Sequence, residues 1–213
     1  MTLTTKRAAV TKERIFHAAF GLAQREGLEA VSMRRVAQAL GVEAMSLYHH
    51  VEDKAGLLDG VFELVLGKLP PAPRRTTSWQ RAVKERAESF RAVLLAHPRL
   101  VPLFATRPAV TVESLRHVEH SLELLKAAGL SARASLDAFQ VVVAYVVGHA
   151  ISTVRDPELE TSGPDYAQLD AADFPRVTEL VALLPTHDLD AEFQFGLELL
   201  ISGLERRLET SRR

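Results

Sequence analysis

The sequence contains no cysteine, and this absence excludes several kinds of chemistry at once. Disulfide bonds, thiolate metal sites, iron–sulfur clusters and cysteine nucleophiles all need a residue that the 213-residue chain does not contain. The chain also lacks a strong net charge, because its formal value at pH 7 is −1. Any attraction to nucleic acid or to a membrane surface must therefore come from a local patch.

Long apolar runs are missing as well. The longest, at 139–151, is interrupted by Gln140, Gly148 and His149, and it is shorter than the roughly 20 residues that span a bilayer. The first 12 residues include basic side chains but no apolar core of about 7–15 residues, so we expect no secretory signal peptide. These features predict a cytoplasmic protein that does not bind membranes.

Alternating strand patterns are nearly absent, whereas apolar residues recur at helical spacing along most of the chain. Thr11, Ser32 and Asp53 precede helical segments and are typical N-cap residues, and Gly27 and Gly41 are typical helix stops. The composition, with 47 % hydrophobic and 25 % charged residues, is that of an ordinary globular protein. The predicted fold class is therefore all-α.

A cluster of prolines at 70–73 divides the predicted helices into two groups, because proline lacks the backbone donor that a helix interior needs. We predict an N-terminal domain at 1–69, which ends in a connecting helix at 53–69. A larger helical domain follows at 70–213. Within it, the acidic segment 156–172 contains proline and glycine and predicts an exposed loop.

Two predicted helices of the second domain are candidates for a subunit interface. Helix 132–155 is apolar on nearly every side and has to be covered all round; the alternative is that it is the central core helix of a monomer. Helix 188–210 carries an apolar stripe, with Gly196 and Gly203 where another helix could approach closely. Both helices predict a homodimer interface; the stripe of the last helix also fits a pure dimer element, in which case the second domain would serve only assembly.

Residues 32–51 form the pattern that is most informative about function. Two short predicted helices flank a tight turn at Gly41, where glycine can supply a positive φ. This is the layout of a helix-turn-helix, whose second helix enters the major groove of DNA. The alternative is a packed helical hairpin with an incidental polar face. Four apolar residues can form a small core between the two helices: Val36, Leu40, Val42 and Leu47.

The polar positions of this segment carry side chains that suit DNA. Arginine can bind O6 and N7 of guanine, serine can bond to bases or phosphates, and tyrosine and lysine suit phosphate oxygens. Residues 1–54 contain eight Lys/Arg against six Asp/Glu, a small bias of the appropriate sign. The candidate DNA-binding residues are Arg34, Arg35, Ser46, Tyr48, His49, His50 and Lys54.

At these residues the sequence resembles the TetR (tetracycline repressor) family. The motifs are Leu-Gly-Val-Glu at 40–43, Ser-Leu-Tyr at 46–48 and Lys-Ala-Gly-Leu-Leu-Asp at 54–59, with a fainter likeness that includes Thr-Arg-Pro at 106–108. The resemblance implies a homodimeric repressor that binds a palindromic operator on double-stranded DNA. A small-molecule effector bound in the second domain would release it. Met45 replaces a proline of the tetracycline repressor, and this departure predicts a different operator.

The resemblance also implies an effector site, and there the sequence departs from the tetracycline repressor. Leu103 replaces a histidine that coordinates magnesium, and Ser152 replaces a glutamate that joins the site through water. Because magnesium prefers oxygen ligands, we expect neither a tetracycline–magnesium effector nor any other cofactor. The candidate ligand-binding residues are Arg86, Phe90, Leu103, Ser121, Tyr145, His149 and Ser152, and for each of them plain packing is the alternative.

A second class of function is a helical metal-dependent enzyme, or a small-molecule carrier, with a vestigial DNA-binding head. Glu113, His117 and His120 share one face of a predicted helix, where they could bind a divalent metal or form a solvated polar face. The sequence contains no Gly-x-Gly-x-x-Gly, Walker, Gly-x-Ser-x-Gly or His-Glu-x-x-His motif. We therefore predict a regulator rather than an enzyme and assign no metal-binding residue.

Overall fold

The computed structural model describes residues 9–71, 78–154, 169–181 and 183–211. All regular elements in these ranges are helical, which confirms the all-α prediction. The helices are α1 (Lys12–Glu26), α2 (Met33–Leu40), α3 (Met45–Tyr48), α4 (Lys54–Leu66), α5 (Trp79–Leu95), α6 (Val101–Thr106), α7 (Val112–Ala127), α8 (Ala132–Thr153), α9 (Pro175–Val181) and α10 (Leu189–Ser211). Short 3-10 turns lie at Leu28–Ala30, Pro98–Leu100 and Leu184–Thr186.

The predicted helix starts are confirmed by their capping hydrogen bonds. The side chains of Thr11, Ser32 and Asp53 each accept a hydrogen bond from the backbone N–H three residues later, and Ser78 does the same for α5. Each cap satisfies one of the four backbone donors that a helix leaves open at its N-terminus. Such a cap contributes about 1 kcal/mol.

The N-terminal helices pack around one apolar core. Val36 and Leu47 are fully buried in it, and Leu40 and Val42 pack against it, which confirms the small core predicted for the two short helices. Leu100, which lies beyond the proline cluster, belongs to the same core and is also fully buried. The N-terminal head, which consists of α1 to α4, is therefore packed against the segment that follows α5.

The chain divides into two compact units, Met1–Ile151 and Ser152–Arg213. In the second unit, α10 buries Phe193 and Leu197 and exposes Phe195. The boundary predicted at residues 69 and 70 follows composition rather than compactness and stays a prediction. Most of the predicted loop, residues 156–168, lies outside the described residues.

Helix α8 confirms the predicted helix 132–155 and ends two residues earlier, at Thr153. It has 22 residues, and about a third of its most apolar stretch is buried. By length and composition alone it could cross a membrane. The core helix of a soluble protein meets the same criterion, so this feature is weak evidence for a membrane span.

Candidate DNA-binding head and ligand cavity

The turn between α2 and α3 is built around Gly41. This residue has a φ of 67° in the left-handed region, and its N–H donates to the carbonyls of Ala37 and Gln38. The N–H of Val42 also donates to the carbonyl of Ala37, at 3.0 Å. Glycine avoids the Cβ clash of this conformation, so α2 ends sharply and α3 starts at Met45. The predicted helix-turn-helix is confirmed.

On α3 only Leu47 is buried, and its neighbours along the chain point away from the core. All seven candidate DNA-binding residues are exposed or half-buried. Met45, which the sequence analysis linked to operator choice but did not place among the candidate DNA-binding residues, is 71 % exposed on the same helix. The signal available in the sequence was the spacing. Leu47 belongs to the predicted small core, and residues two positions apart on a helix lie on different faces, so Met45 had to face outward.

Two of the candidate cations are held by carboxylates on the head itself. The Arg35 Nη2 lies 2.6 Å from Glu26 Oε2, and the Lys54 Nζ lies 3.5 Å from Glu29 Oε2. Exposed ion pairs of this kind contribute about 0–1 kcal/mol. A phosphate oxygen can therefore replace either glutamate at a small cost in free energy. In the absence of DNA, the two pairs orient both cations.

A cavity of about 540 Å³ lies within the first unit. This volume is in the range of about 300–1,000 Å³ that is usual for small-molecule sites. Its walls come from α4 to α8 and include four phenylalanines. The rings of Phe62 and Phe104 stack at 4.6 Å, and the edge of Phe90 meets Phe104 at 5.6 Å. Phe139 of α8 adds a further aromatic face.

Arg86 and His117 form a polar pair on the cavity wall. The Arg86 Nη2 lies 2.8 Å from His117 Nδ1, and its Nη1 donates to the Pro70 carbonyl at 3.3 Å. Burial lowers the pKa of Arg86. Burial and then the Arg86 charge lower the pKa of His117, and His120 adds to this while Glu113 opposes it. His117 is therefore neutral at pH 7.

A second arginine connects the cavity wall to α4. Arg107 donates from Nε and Nη2 to Asp59 Oδ1 at 2.9 and 2.6 Å, and Nη2 also donates to the Ala55 carbonyl at 2.9 Å. The pair is about three-quarters buried, with side-chain exposures of 22 % and 28 %. Since α4 directly follows the helix-turn-helix, the cavity and the head share one helix.

The structure brings together three of the seven candidate ligand-binding residues. Arg86, Phe90 and Ser121 line the cavity, whereas Leu103 is buried in the apolar core beside the lining residue Phe104. The other three do not line it. The binding roles of all seven stay predictions.

The rotation of α8 explains why Tyr145 and His149 are not in the lining. The helix presents Phe139, Val142, Val143 and Val146 to the cavity at helical spacing, and neither Tyr145 nor His149 lies on that face. His149 is buried, and its Nδ1 accepts a hydrogen bond from Arg91 Nε at 3.4 Å. Ser152 is exposed and belongs to the second unit.

On α7, the three side chains weighed as a possible metal site, Glu113, His117 and His120, have separate partners. Glu113 pairs with Arg116 at 3.2 Å, His117 contacts Arg86, and His120 Nδ1 lies 3.8 Å from Glu123. Within the described ranges, no three His, Cys, Asp or Glu side chains are grouped as a metal site. Arg86 beside His117 also places a positive charge where a metal cation would bind.

Two family models match the chain. Residues 15–61 match "Bacterial regulatory proteins, tetR family", and residues 71–208 match "Tetracyclin repressor-like, C-terminal domain". Among curated proteins, the HTH-type transcriptional repressor DrrR1 of Streptomyces coeruleorubidus is 31 % identical, covering 93 % of this chain and 78 % of its own. The tetracycline repressor class C of Escherichia coli is 31 % identical, with coverages of 94 % and 93 %.

Solved structures give the same result at the level of the fold. Apo ActR from Streptomyces coelicolor superposes with a TM-score of 0.84 at 31 % identity, covering 96 % of this chain and 99 % of that one. ActR in complex with actinorhodin has a TM-score of 0.81 at 30 % identity, with coverages of 92 % and 96 %. A TetR variant from Acinetobacter baumannii in complex with minocycline has a TM-score of 0.71 at 26 % identity, with coverages of 94 % and 99 %.

Proposed function

From the premise that this chain belongs to the TetR family of transcriptional regulators, we propose which of its residues carry the family's activity. The chain is a DNA-binding transcriptional repressor with a helix-turn-helix head and a ligand-binding C-terminal domain. The members of this family are regulators, not enzymes. We place it in the cytoplasm of a bacterium, because operator DNA is found there.

The head binds its operator through α3 in the major groove. The observation that carries this proposal is that Leu47 alone of α3 is buried, so Ser46, Tyr48 and Met45 are directed outward. A helix about 10–12 Å wide fits the roughly 12 Å groove. We assign base contacts to Arg34 and the α3 side chains, and a phosphate contact to Lys54.

Binding to a labelled duplex tests this assignment. The duplex is the intergenic DNA upstream of the gene that encodes this protein, and binding is measured at two salt concentrations. We expect it to be preferred over a scrambled duplex by about 10³-fold or more. The Arg34→Ala variant should lose about 1–3 kcal/mol of specific binding. Lys126→Ala removes an exposed cation from the last turn of α7 and is the matched control. Equal losses in the two variants would contradict a base contact for Arg34.

We propose that the protein is a homodimer through α8 and α10. Large apolar side chains are exposed on both helices, with exposures of 51 % for Val141, 45 % for Ile151, 65 % for Phe195 and 57 % for Leu199. A second copy would remove this surface from water, which is the usual reason for exposed apolar patches. Two heads would then contact the two halves of a palindromic operator.

Light scattering after size-exclusion chromatography tests the dimer. We expect the Phe195→Arg variant to elute as a monomer and the wild-type chain as a dimer. Val112→Arg makes the same change on α7, at a side chain that is 72 % exposed, and should remain a dimer. A wild-type monomer at micromolar concentration would overturn the proposal.

The cavity binds the effector, and Arg107 transmits its presence to the head. Arg107 lines the cavity and is hydrogen-bonded to α4, so a ligand that displaces it also acts on the helix that follows α3. Coupling between ligand and DNA is usually about 1–3 kcal/mol and must be reciprocal. An effector should therefore weaken DNA binding by the factor by which DNA weakens effector binding, and unequal factors would contradict the linkage.

We propose that the effector is not a tetracycline–magnesium complex. Within the described part of the chain, the lining contains Arg86, Arg107 and His117 but no aspartate or glutamate, and Leu103 is buried in the core. This set does not fit magnesium, which is bound by carboxylates, carbonyls and water. Titration with minocycline, with and without magnesium chloride, should give no magnesium-dependent binding and no release of the operator.

A further inference from the structure

We infer that the effector is an organic anion, with a largely apolar, ring-containing body and one acidic group that binds the Arg86–His117 pair. The inference rests on the proposed function, because it takes the cavity as the effector site. It adds the chemical class of the ligand.

The charges on the lining are of one sign. Arg86 and Arg107 are both cationic, and none of the described residues that line the cavity is an aspartate or glutamate. Arg107 is compensated from outside the lining by Asp59 at 2.6 Å. Arg86 therefore gives the cavity its uncompensated positive charge.

Arg86 is bound by neutral acceptors. Its guanidinium meets the Pro70 carbonyl at 3.3 Å and His117 Nδ1 at 2.8 Å. In the described part of the chain, no carboxylate lies within the 4.0 Å ion-pair distance of its nitrogens. Even a partly desolvated cation is less stable without a counter-ion. A bound anion would remove that cost, and the planar guanidinium fork matches a carboxylate with two hydrogen bonds.

His117 extends the same preference. Its Nδ1 faces the Arg86 donor, so in the neutral ring the proton is assigned to Nε2, which then donates. The charged groups around it are Arg86, Glu113 and His120, and Glu113 is held by Arg116 at 3.2 Å. The pair thus presents donors to a ligand, and a carboxylate, sulfonate or ionised phenol supplies the matching acceptors.

The remaining walls determine the body of the ligand. Four phenylalanines and many aliphatic side chains surround about 540 Å³, so the site favours a molecule of a few fused or linked rings. An anion of this kind is attracted by the pair and has its hydrophobic surface buried by the walls. A cation of the same shape would meet Arg86 and Arg107.

Two fluorescent probes of matched shape test the charge preference. 8-Anilinonaphthalene-1-sulfonate is an anion, and N-phenyl-1-naphthylamine is the same ring system without the sulfonate. We expect Arg86→Gln to weaken binding of the anion by about tenfold or more and to change binding of the neutral probe by less than about threefold. Arg81→Gln, which removes an exposed arginine of α5 that pairs with Glu85, is the control and should change neither.

A competition on the wild-type chain keeps the inference testable if Arg86→Gln does not fold, as judged by its thermal unfolding. With N-phenyl-1-naphthylamine as the reporter, anthraquinone-2-carboxylate should displace the probe at about one-tenth of the concentration that its carboxamide needs. Equal potency of acid and amide, or equal loss of both probes in Arg86→Gln, would overturn the inference. Operator binding is measured separately. Intact operator binding with no charge preference refutes the anion alone, whereas charge preference without operator binding refutes the proposed function alone.

Discussion

The packing of α1 against α4 is predicted to depend on the absence of a side chain at position 60. A Cβ added to Gly60 would lie well under 3.0 Å from Cγ, Cδ1 and Cε1 of Phe16. Carbon atoms that are not bonded normally approach to about 3.5–4.0 Å. Because Cγ is attached directly to the Cβ of Phe16, rotation of the ring cannot remove this clash. The Gly60→Ala variant must therefore move the whole Phe16 side chain to another χ1 rotamer, or shift α1, α4 or both.

The expected cost follows from two opposing effects. Overpacking costs about 1–3 kcal/mol, and the direct involvement of Cγ favours the upper end of this range. Alanine in a helix interior is about 1 kcal/mol more favourable than glycine. The net loss should be about 2 kcal/mol, which lowers the Tm of a chain of this size by about 4–8 °C.

Thermal unfolding monitored by circular dichroism measures the effect, with Gly21→Ala as the matched control. There the added Cβ meets only the end of the flexible Arg25 side chain, at 3.2 Å, so the same substitution should be neutral or stabilising by up to about 1 kcal/mol. In a Phe16→Ala background, Gly60→Ala should no longer destabilise. Equal Tm values for Gly60→Ala and Gly21→Ala would refute the reasoning.

Three other perturbations address the Arg107–Asp59 pair, the DNA contact and pH. Arg107→Met should cost about 1–2 kcal/mol in chemical denaturation, because its pair with Asp59 is intermediate between surface and buried pairs; an unchanged midpoint would contradict this. Lys54→Ala should weaken binding to operator and scrambled duplexes alike and reduce the salt slope by about one, whereas loss confined to the operator would argue for a base contact. Burial lowers the pKa of His97 and His117 below the ordinary 6.5. As the pH falls through about 6.5, these histidines are therefore protonated in the unfolded chain before they are protonated in the folded one. The folded state loses stability in that pH range. Replacing both histidines with glutamine should make Tm less dependent on pH between about 7.5 and 5.5, and an unaltered pH dependence would count against these two groups.

Much of the fold can be predicted from the sequence, because helix starts and stops are local. The cap at Ser32, the left-handed stop at Gly41 and the cap at Asp53 each act over three or four neighbouring residues. The helix-turn-helix and the exposure of its polar side chains follow from these signals together with apolar spacing. Met45 was left out of the candidate DNA-binding residues because an apolar residue on the outward face of α3 is contrary to the usual pattern.

The cavity could be predicted only in part, because its lining depends on how each helix is rotated about its axis. One residue along a helix turns the side chain by about 100°. Leu103 is in the core whereas Phe104 lines the cavity, and His149 of α8 faces Arg91 rather than the cavity. Composition contains no signal that fixes such a rotation.

By itself, the sequence determined the helices, the turn at Gly41 and the family, since these depend on interactions between near neighbours and on short motifs. The tertiary structure alone decided which distant polar side chains meet. Arg86 and His117 are 31 residues apart, and Arg107 and Asp59 are 48 residues apart. Each meeting requires two helices to pack at one angle and rotation, and that geometry is set by the complete core rather than by either segment.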